Sequence, residues 1–209
     1  MKVARVLYPV KVLGPGMRIG LWLSGCPRRC EGCSNPELWE AESYQEVAVA
    51  DLLNQLEKII RTRSVDGVTI TGGDPLFQPK ELAKLLMGLK DLTTDILVYT
   101  GYTLAELKSS AEPAVGECLE QIGVVIDGPY VKNLNRDCLL RGSENQRIIV
   151  LNQALKAKYD AYLVTAHNEV QNFTVGASTI SVGIHKPDFE RDLKKSLSSR
   201  GLREIDNVR

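Results

Sequence analysis

The stretch MRIGLWLSGCPRRCEGC, residues 17–33, decides most of what the sequence predicts about the fold. Apolar residues at every second position predict a strand over residues 17–24. Cys26, Cys30 and Cys33 follow as Cys-x3-Cys-x2-Cys. Three clustered thiols are one fewer than the four that close a tetrahedral zinc site or hold an ordinary iron–sulfur cluster. The stretch therefore predicts a strand followed by a metal-binding loop with one open coordination position.

The same spacing also allows a simpler interpretation. Positions i, i+4 and i+7 share one face of a helix, so the three thiols could be a buried apolar stripe. Gly25 and Gly32 disfavour a helix, and three charged residues crowd the loop between the thiols. The metal loop is the favoured interpretation.

Composition restricts the classes of protein that the chain can belong to. The 209 residues are 44% hydrophobic and 25% charged, which predicts one domain with or without an appendage. Basic and acidic residues number 26 each, so no global field attracts nucleic acid or a membrane surface. The N-terminus has no signal-peptide block, and no apolar run reaches membrane-spanning length. Five cysteines, three of them in one loop, do not suit a disulfide framework. We therefore expect the reducing cytoplasm, without nucleic-acid or membrane partners.

Strand-like and helix-like segments alternate along the chain, which predicts an α/β fold with a parallel sheet, open or partly curled into a barrel. Apolar spacing predicts helices after capping boxes at Ser43–Glu46 and Thr103–Glu106. The further predicted strands are 68–71, 96–99, 124–127 and 148–151, and the further predicted helices include 82–89 and a weak one at 113–121.

Two more loops of unusual composition follow predicted strands: Gly72-Gly73-Asp74-Pro75 and Thr100-Gly101-Tyr102. Loops at the carboxyl ends of parallel strands share one edge of the sheet, so these loops should meet the cysteine loop. Glycine lets a ligand approach the backbone, whose carbonyls can accept from an amino group, and Asp74 adds negative charge. A plain tight turn is an equally good interpretation of this tetrapeptide taken alone.

Taken together, these segments resemble the radical S-adenosylmethionine enzymes, and among them the activating proteins of anaerobic ribonucleoside-triphosphate reductase. The resemblance covers residues 7–152. The matching segments are Gly14–Arg18, Ser24-Gly25-Cys26, Cys33–Pro36 with Trp39, Thr71–Leu76, Tyr99–Tyr102, Ile126-Asp127-Gly128 and Leu140–Gln146.

The resemblance implies a partial, open β/α barrel of the radical-SAM type. It implies an oxidoreductase in which Cys26, Cys30 and Cys33 hold a [4Fe-4S] cluster whose fourth iron binds S-adenosyl-L-methionine. The further residues implied in binding S-adenosyl-L-methionine are Gly72, Gly73 and Asp74 at its amino group, Gly32 and Ser34 at its adenine, and Thr100 with Gly101. The implied partners are a glycyl-radical enzyme, the anaerobic ribonucleotide reductase large subunit, and a low-potential electron donor such as flavodoxin or ferredoxin.

Some features depart from the family pattern. Ser34 stands where members often carry an aromatic residue. The pattern ends near residue 152, so residues 153–209 are an extension with an α+β composition. It contains a predicted hairpin, 171–175 with 179–184, and a helix from Asp188 to about residue 197. Its role is open: it covers a sheet edge, recognises a partner or does neither.

The remaining candidate residues are Cys118, Cys138, His167, His185 and the string 141–146. We expect Cys118 to be a small apolar helix residue and Cys138 to be incidental. Neither histidine is expected to take part in the chemistry, because both lie in the extension. The polar string 141–146 is favoured as a cofactor-edge or partner contact over a plain loop.

Two alternative functions stay open. One is a radical enzyme that acts on a small molecule of the deazapurine-forming kind. The other is a non-catalytic zinc module in which Cys118 or Cys138 completes a four-thiolate site.

Overall fold

The computed structural model describes residues 1–176 and 178–201, which contain eight strands and six α-helices. The strands are β1 (Val3–Val10), β2 (Arg18–Leu23), β3 (Gly67–Gly72), β4 (Ile96–Tyr99), β5 (Val124–Asp127), β6 (Arg147–Val150), β7 (Val170–Val175) and β8 (Ser178–Gly183). The helices are α1 (Val49–Thr62), α2 (Pro79–Leu89), α3 (Leu104–Lys108), α4 (Pro113–Gln121), α5 (Lys156–Thr165) and α6 (Phe189–Ser199).

Six strands form one mixed sheet in the order β1-β2-β3-β4-β5-β6. Strands β2 to β5 are parallel, as the alternation of strands and helices predicts, and β1 and β6 are antiparallel edges. A parallel pairing of β5 with β6 would need a crossover connection, usually a helix. The link between them contains only the short 3-10 helix Lys132–Leu134, so β6 runs back along β5.

The main core lies between one face of the sheet and the helices. Leucines from α1 and α2, among them Leu52, Leu56 and Leu86, pack on Ile19, Leu21 and other strand residues. Each such fully buried side chain contributes about 1.5–3 kcal/mol. None of the helices in the described part of the chain combines the length and apolar character that a membrane span requires.

The opposite face of the sheet is covered in part by the predicted hairpin. Strands β7 and β8 pair antiparallel, with Asn172 opposite Ser181. Val182 and neighbouring apolar residues pack with Trp22 and Leu13. The predicted helix is also confirmed, although Asp188 makes no side-chain capping hydrogen bond. Within the predicted extension, residues 177 and 202–209 lie outside the described residues.

The capping boxes had different outcomes. Thr103 and Glu106 form the predicted reciprocal pair at the start of α3. The prediction at Ser43–Glu46 was wrong, because α1 begins only after Ala48. Glu46 instead pairs with Lys2, and the Val47 N–H donates to the Met1 carbonyl at 2.9 Å. Contact with the N-terminus holds this segment extended. The pattern also did not anticipate α5, which packs on β4 and β5 through Tyr159.

Candidate active site at the carboxyl ends of the parallel strands

The loops that follow β2, β3 and β4 meet around one cavity. Its walls include all the predicted site residues except Gly32, namely Cys26, Cys30, Cys33, Ser34, Gly72, Gly73, Asp74, Thr100 and Gly101. Gly32 lines a groove that adjoins this cavity, and Ser34 lines both. Residues that are up to 75 positions apart in the sequence, Cys26 and Gly101, therefore come together as the parallel topology predicts.

The cysteine loop is fastened by its backbone rather than by a helix. The Gly25 N–H donates to the Leu38 carbonyl at 2.8 Å, and the Cys26 N–H donates to the Trp39 carbonyl at 3.0 Å. Residues 26–33 contain no helical turn, and Gly25 and Gly32 have positive φ. The alternative of a buried helical stripe is thus wrong. The three cysteine residues are half-buried and all line the cavity.

Two of the three thiols, those of Cys26 and Cys33, lie in surroundings that disfavour the thiolate form. Burial raises the pKa of Cys26 and of Cys33, the latter opposed by the Asn35 N–H, which donates to its Sγ at 3.4 Å. A thiolate is the metal-binding form of cysteine, and thiolates are the ligands of iron–sulfur clusters. The three thiols therefore fit an iron–sulfur cluster, because its iron ions supply the positive charge that stabilises thiolates.

The two glycines after β3 allow an unusually close approach of two loops. The Gly73 N–H donates to the Leu23 carbonyl at 2.7 Å, and the Asp74 N–H donates to the Gly25 carbonyl at 2.8 Å. A Cβ on Gly72, whose φ is +116°, would lie 2.2 Å from the Leu23 oxygen. The glycines thus bind the β3 loop to the base of the cysteine loop, a structural task that the tight-turn interpretation did not anticipate.

Asp74 joins the β3 loop to the β4 loop. Its side chain is fully buried and accepts hydrogen bonds from the Leu76 N–H at 2.9 Å, the Gly101 N–H at 2.8 Å and the Thr100 hydroxyl at 3.0 Å. Burial raises its pKa to about 6, although these donors and the charge of Arg28 oppose the rise. The site therefore holds a buried carboxyl group that titrates near neutrality.

Arg28 connects the cysteine loop to α3. Its guanidinium donates to Glu106 at 2.7 Å and lies over the Tyr102 ring, 4.5 Å from the centroid. Arg29 pairs instead with Glu40, and both side chains are about half exposed. Arg29 is therefore a solvated surface charge.

Several residues at the cavity were not among the predicted ligands. The Tyr99 hydroxyl is buried without a hydrogen-bond partner in the described residues. Gln146 donates to the Gly128 carbonyl at 2.9 Å and accepts from the Gly142 N–H at 2.8 Å, so the string 141–146 reaches the cavity edge. The sequence signal for Gln146 was the string itself, whereas nothing in the periodicity indicated where Tyr99 points.

The hairpin also contributes to the cavity, through Ser181, Val182, Gly183, Ile184 and His185. His185 thus lies at the cavity, although its place in the extension had indicated no part in the chemistry. His167, by contrast, is exposed and pairs with Glu169.

The other two cysteines do not join the three thiols. Cys118 is completely buried in the main core, with its Sγ 3.4 Å from the Pro79 carbonyl, as expected for an apolar helix position. Cys138 does not line the cavity either. Residues 1–176 and 178–201 contain no group of three His, Cys, Asp or Glu side chains arranged for a single metal ion.

Comparison with known proteins defines the class first. A protein-family profile described as a 4Fe-4S single cluster domain matches residues 12–149, a segment that contains the three cysteines and all three loops. The profile match shows that the chain belongs to the family of 4Fe-4S single cluster domains.

More specific relatives are anaerobic ribonucleoside-triphosphate reductase-activating proteins. The protein of that name from Enterobacteria phage T4 is 36% identical over 147 residues, which is 68% of this chain and 90% of the relative. Those from Pasteurella multocida and Escherichia coli K12 are 38% and 35% identical, over 68% and 66% of this chain and 92% of each relative. The chain belongs to the family of anaerobic ribonucleoside-triphosphate reductase-activating proteins.

Proposed function

We propose that this chain is a radical S-adenosylmethionine enzyme that generates a glycyl radical on a partner enzyme, the large subunit of anaerobic ribonucleotide reductase. The observation that carries the proposal is the meeting of three thiols from one loop with the Gly72–Asp74 loop in a single cavity. The names of the relatives support the choice of a protein partner over a small-molecule substrate. In this proposal the sheet is the curved wall of a partial β/α barrel.

Cys26, Cys30 and Cys33 would hold three irons of a [4Fe-4S] cluster. Among the described residues that line the cavity there is no fourth thiol, which suits a cluster with one iron left for a cofactor. The chemistry that a bound, reduced cluster would supply is one electron for the sulfonium of S-adenosyl-L-methionine, giving methionine and a 5′-deoxyadenosyl radical that would take a hydrogen atom from the partner's glycine.

The residues of the chain would bind, orient and shield the reactants. Asp74 would face the cationic amino group of S-adenosyl-L-methionine, and the carbonyls of Gly72 and Gly73 would accept from it. Ser34, with Gly32 in the adjoining groove, would contact the adenine, and Thr100 and Gly101 would complete the contact at the β4 loop. The Tyr99 hydroxyl, which has no partner in the described residues, is available to a bound ligand.

A low-potential donor such as flavodoxin or ferredoxin would reduce the cluster. Free cysteines and an oxygen-sensitive open iron suit a reducing, anaerobic cytoplasm. The half-buried loop that holds the thiols lies near the surface, so a donor has a short path to it.

The test is anaerobic reconstitution with iron and sulfide, followed by reduction and measurement of 5′-deoxyadenosine. The wild-type protein should cleave S-adenosyl-L-methionine, and Cys30→Ala should abolish cleavage because one iron loses its ligand. A glycyl radical should appear by electron paramagnetic resonance when the reductase large subunit is added.

The matched control is the double variant Cys118→Ala, Cys138→Ala, which removes the two thiols that lie outside the cavity. It should retain the iron content and cleavage of the wild type. Iron lost from this variant would point to the four-thiolate zinc alternative, and a reduced, cluster-loaded wild type that forms no 5′-deoxyadenosine would refute the proposal.

A further inference from the structure

The hairpin β7–β8 is a fixed part of the molecule. Its Phe173, Ile180 and Val182 pack in one apolar cluster with Val10, Leu13 and Trp22 of the sheet face and the adjoining loop. The Gln171 side chain donates to the Pro9 carbonyl at 2.8 Å and accepts from the Lys11 N–H at 2.9 Å. The hairpin therefore stands as a wall against the sheet.

The end of this wall carries an ordered polar pair. His185 Nε2 lies 3.0 Å from the Ser181 Oγ, and the His185 ring stacks on Phe189 with centroids 4.0 Å apart. The His185 carbonyl accepts from the Asn135 amide at 3.0 Å. Burial lowers the pKa of His185, which favours the neutral ring with one donor and one acceptor nitrogen. Contacts on several sides hold the pair in place at the cavity.

His185 stands where the cavity meets the adjoining groove, because it lines both. The groove runs between residues 32–37 and residues 185–194. Four of its basic side chains, Arg5, Lys132, Lys186 and Arg191, pair with Glu37, Glu31, Asp137 and Asp188, respectively. Walls with such neutralised charges suit the main chain of a polypeptide better than a polyanion.

The hairpin lies outside the part of the chain that the family profile matches. The matches with the relatives cover 90–92% of their own lengths but only 66–68% of this chain, and the family profile ends at residue 149. The residues proposed to hold the cluster and S-adenosyl-L-methionine all lie in the matched part, so we assign the hairpin's contribution to the cavity to another reactant.

Resting on the proposed function, we propose that the hairpin is the wall that faces the partner protein, and that the Ser181–His185 pair hydrogen-bonds the main chain of the partner's glycine-bearing segment. The segment lies in the groove and passes His185 as it enters the cavity. His185 is a positioning residue: it fixes where the glycine Cα stops and takes no part in electron transfer.

The experiment uses the full-length, reconstituted protein with the intact reductase large subunit. His185→Ala should raise the KM for that subunit about 3- to 10-fold, as expected for the loss of one neutral hydrogen bond. It should also increase the 5′-deoxyadenosine formed per glycyl radical. Iron content and partner-free cleavage should stay within about twofold of wild type.

Two further variants sharpen the result. His185→Gln keeps an amide near the position of Nε2 and should recover most of the wild-type KM. His167→Ala alters the exposed histidine of the same extension and should change neither quantity.

An unchanged KM in His185→Ala would overturn the inference. So would a parallel loss of iron or of partner-free cleavage, because the residue would then serve the fold or the cofactor. Failure of the proposed function is a separate result: the wild-type protein itself would form no 5′-deoxyadenosine.

Discussion

Two buried aspartates lie at opposite ends of neighbouring strands. The surroundings of one lower its pKa, and those of the other raise it. Asp95 precedes β4 and meets Arg18, at 3.0 Å, together with Lys158 and the Tyr159 hydroxyl. Asp74 follows β3, and its carboxylate accepts hydrogen bonds from the neutral donors Leu76, Thr100 and Gly101. Burial alone would raise the pKa of Asp95, but the charge of Arg18 and the hydrogen bonds from Arg18, Lys158 and Tyr159 together lower it. Burial raises the pKa of Asp74 to about 6.

This difference in surroundings indicates different roles for the two ends of the sheet. The end with Asp95 stabilises the fold, and the end with Asp74 forms the candidate site. At the Asp95 end, the charges are matched within the protein. At the Asp74 end, neutral donors and the charge of Arg28 stabilise the carboxylate but do not offset burial, so a cationic ligand group would stabilise it further. Under the proposed function, that group is the ammonium of S-adenosyl-L-methionine.

Among the substitutions that test this difference, we expect Arg18→Met to lower the stability of the fold most. Its side chain is completely buried and donates to Thr69, Asp95 and the Val68 carbonyl. Arg18→Met leaves Asp95 with fewer partners, and breaking a buried pair costs about 3–5 kcal/mol. The thermal midpoint should fall by roughly 6–20 °C. Arg61→Met, which breaks an exposed pair with Glu57, is the control, and an equal fall in both variants would contradict the prediction.

The second effect is a pH dependence at Asp74. A pKa raised from 3.8 to about 6 means that Asp74 favours the folded state most below pH 3.8, and that this contribution is lost as the pH rises through 6. The loss amounts to about 3 kcal/mol by pH 7. The thermal midpoint of wild type minus that of Asp74→Asn should therefore decrease from pH 4 to pH 7.

Using the difference between the two proteins removes the contributions of the other titrating groups. Asp95 acts in the opposite direction, since its lowered pKa gives stability that is present above the unfolded pKa and lost in acid. A difference that stays constant between pH 4 and pH 7 would show that Asp74 is not a neutral-range group.

Elements that depend on local sequence were predicted well, whereas elements that depend on contacts with distant parts of the chain were not. Strands 96–99 and 124–127 were predicted with the observed bounds, because a short apolar run between turn signals is a local property. The antiparallel edges β1 and β6 depend on pairing across the sheet, which no local pattern encodes. The wrong capping box at Ser43–Glu46 has the same origin, since Glu46 is held by Lys2.

The candidate site divides in the same way. The cysteine and glycine loops were predicted to meet because parallel strands place their carboxyl ends together, and they do line one cavity. Their roles as ligands stay predictions. Tyr99 and His185 were not found, because the direction of a side chain at a strand end and the docking of a distant hairpin depend on tertiary packing. The resemblance carried no information on a segment beyond residue 152.

We expect the smallest change in stability at the rim of the cavity, where the ion pair between Arg28 and Glu106 is partly exposed to solvent. Glu106 accepts from Arg28 and from the Thr103 N–H, and these contacts lower its pKa to about 2. Glu106→Gln keeps one acceptor oxygen for Thr103, removes the charge and places an NH2 group where the other oxygen accepts from Arg28. Since exposed ion pairs contribute about 0–1 kcal/mol, the thermal midpoint should fall by no more than about 4 °C. Cleavage of S-adenosyl-L-methionine should change less than about threefold, because stacking on Tyr102 still holds Arg28. A fall in the thermal midpoint as large as that of Arg18→Met would contradict the prediction. It would mean that the Arg28–Glu106 pair is as strongly desolvated as the two buried aspartates, and that solvent exposure does not determine how much each charge contributes to stability.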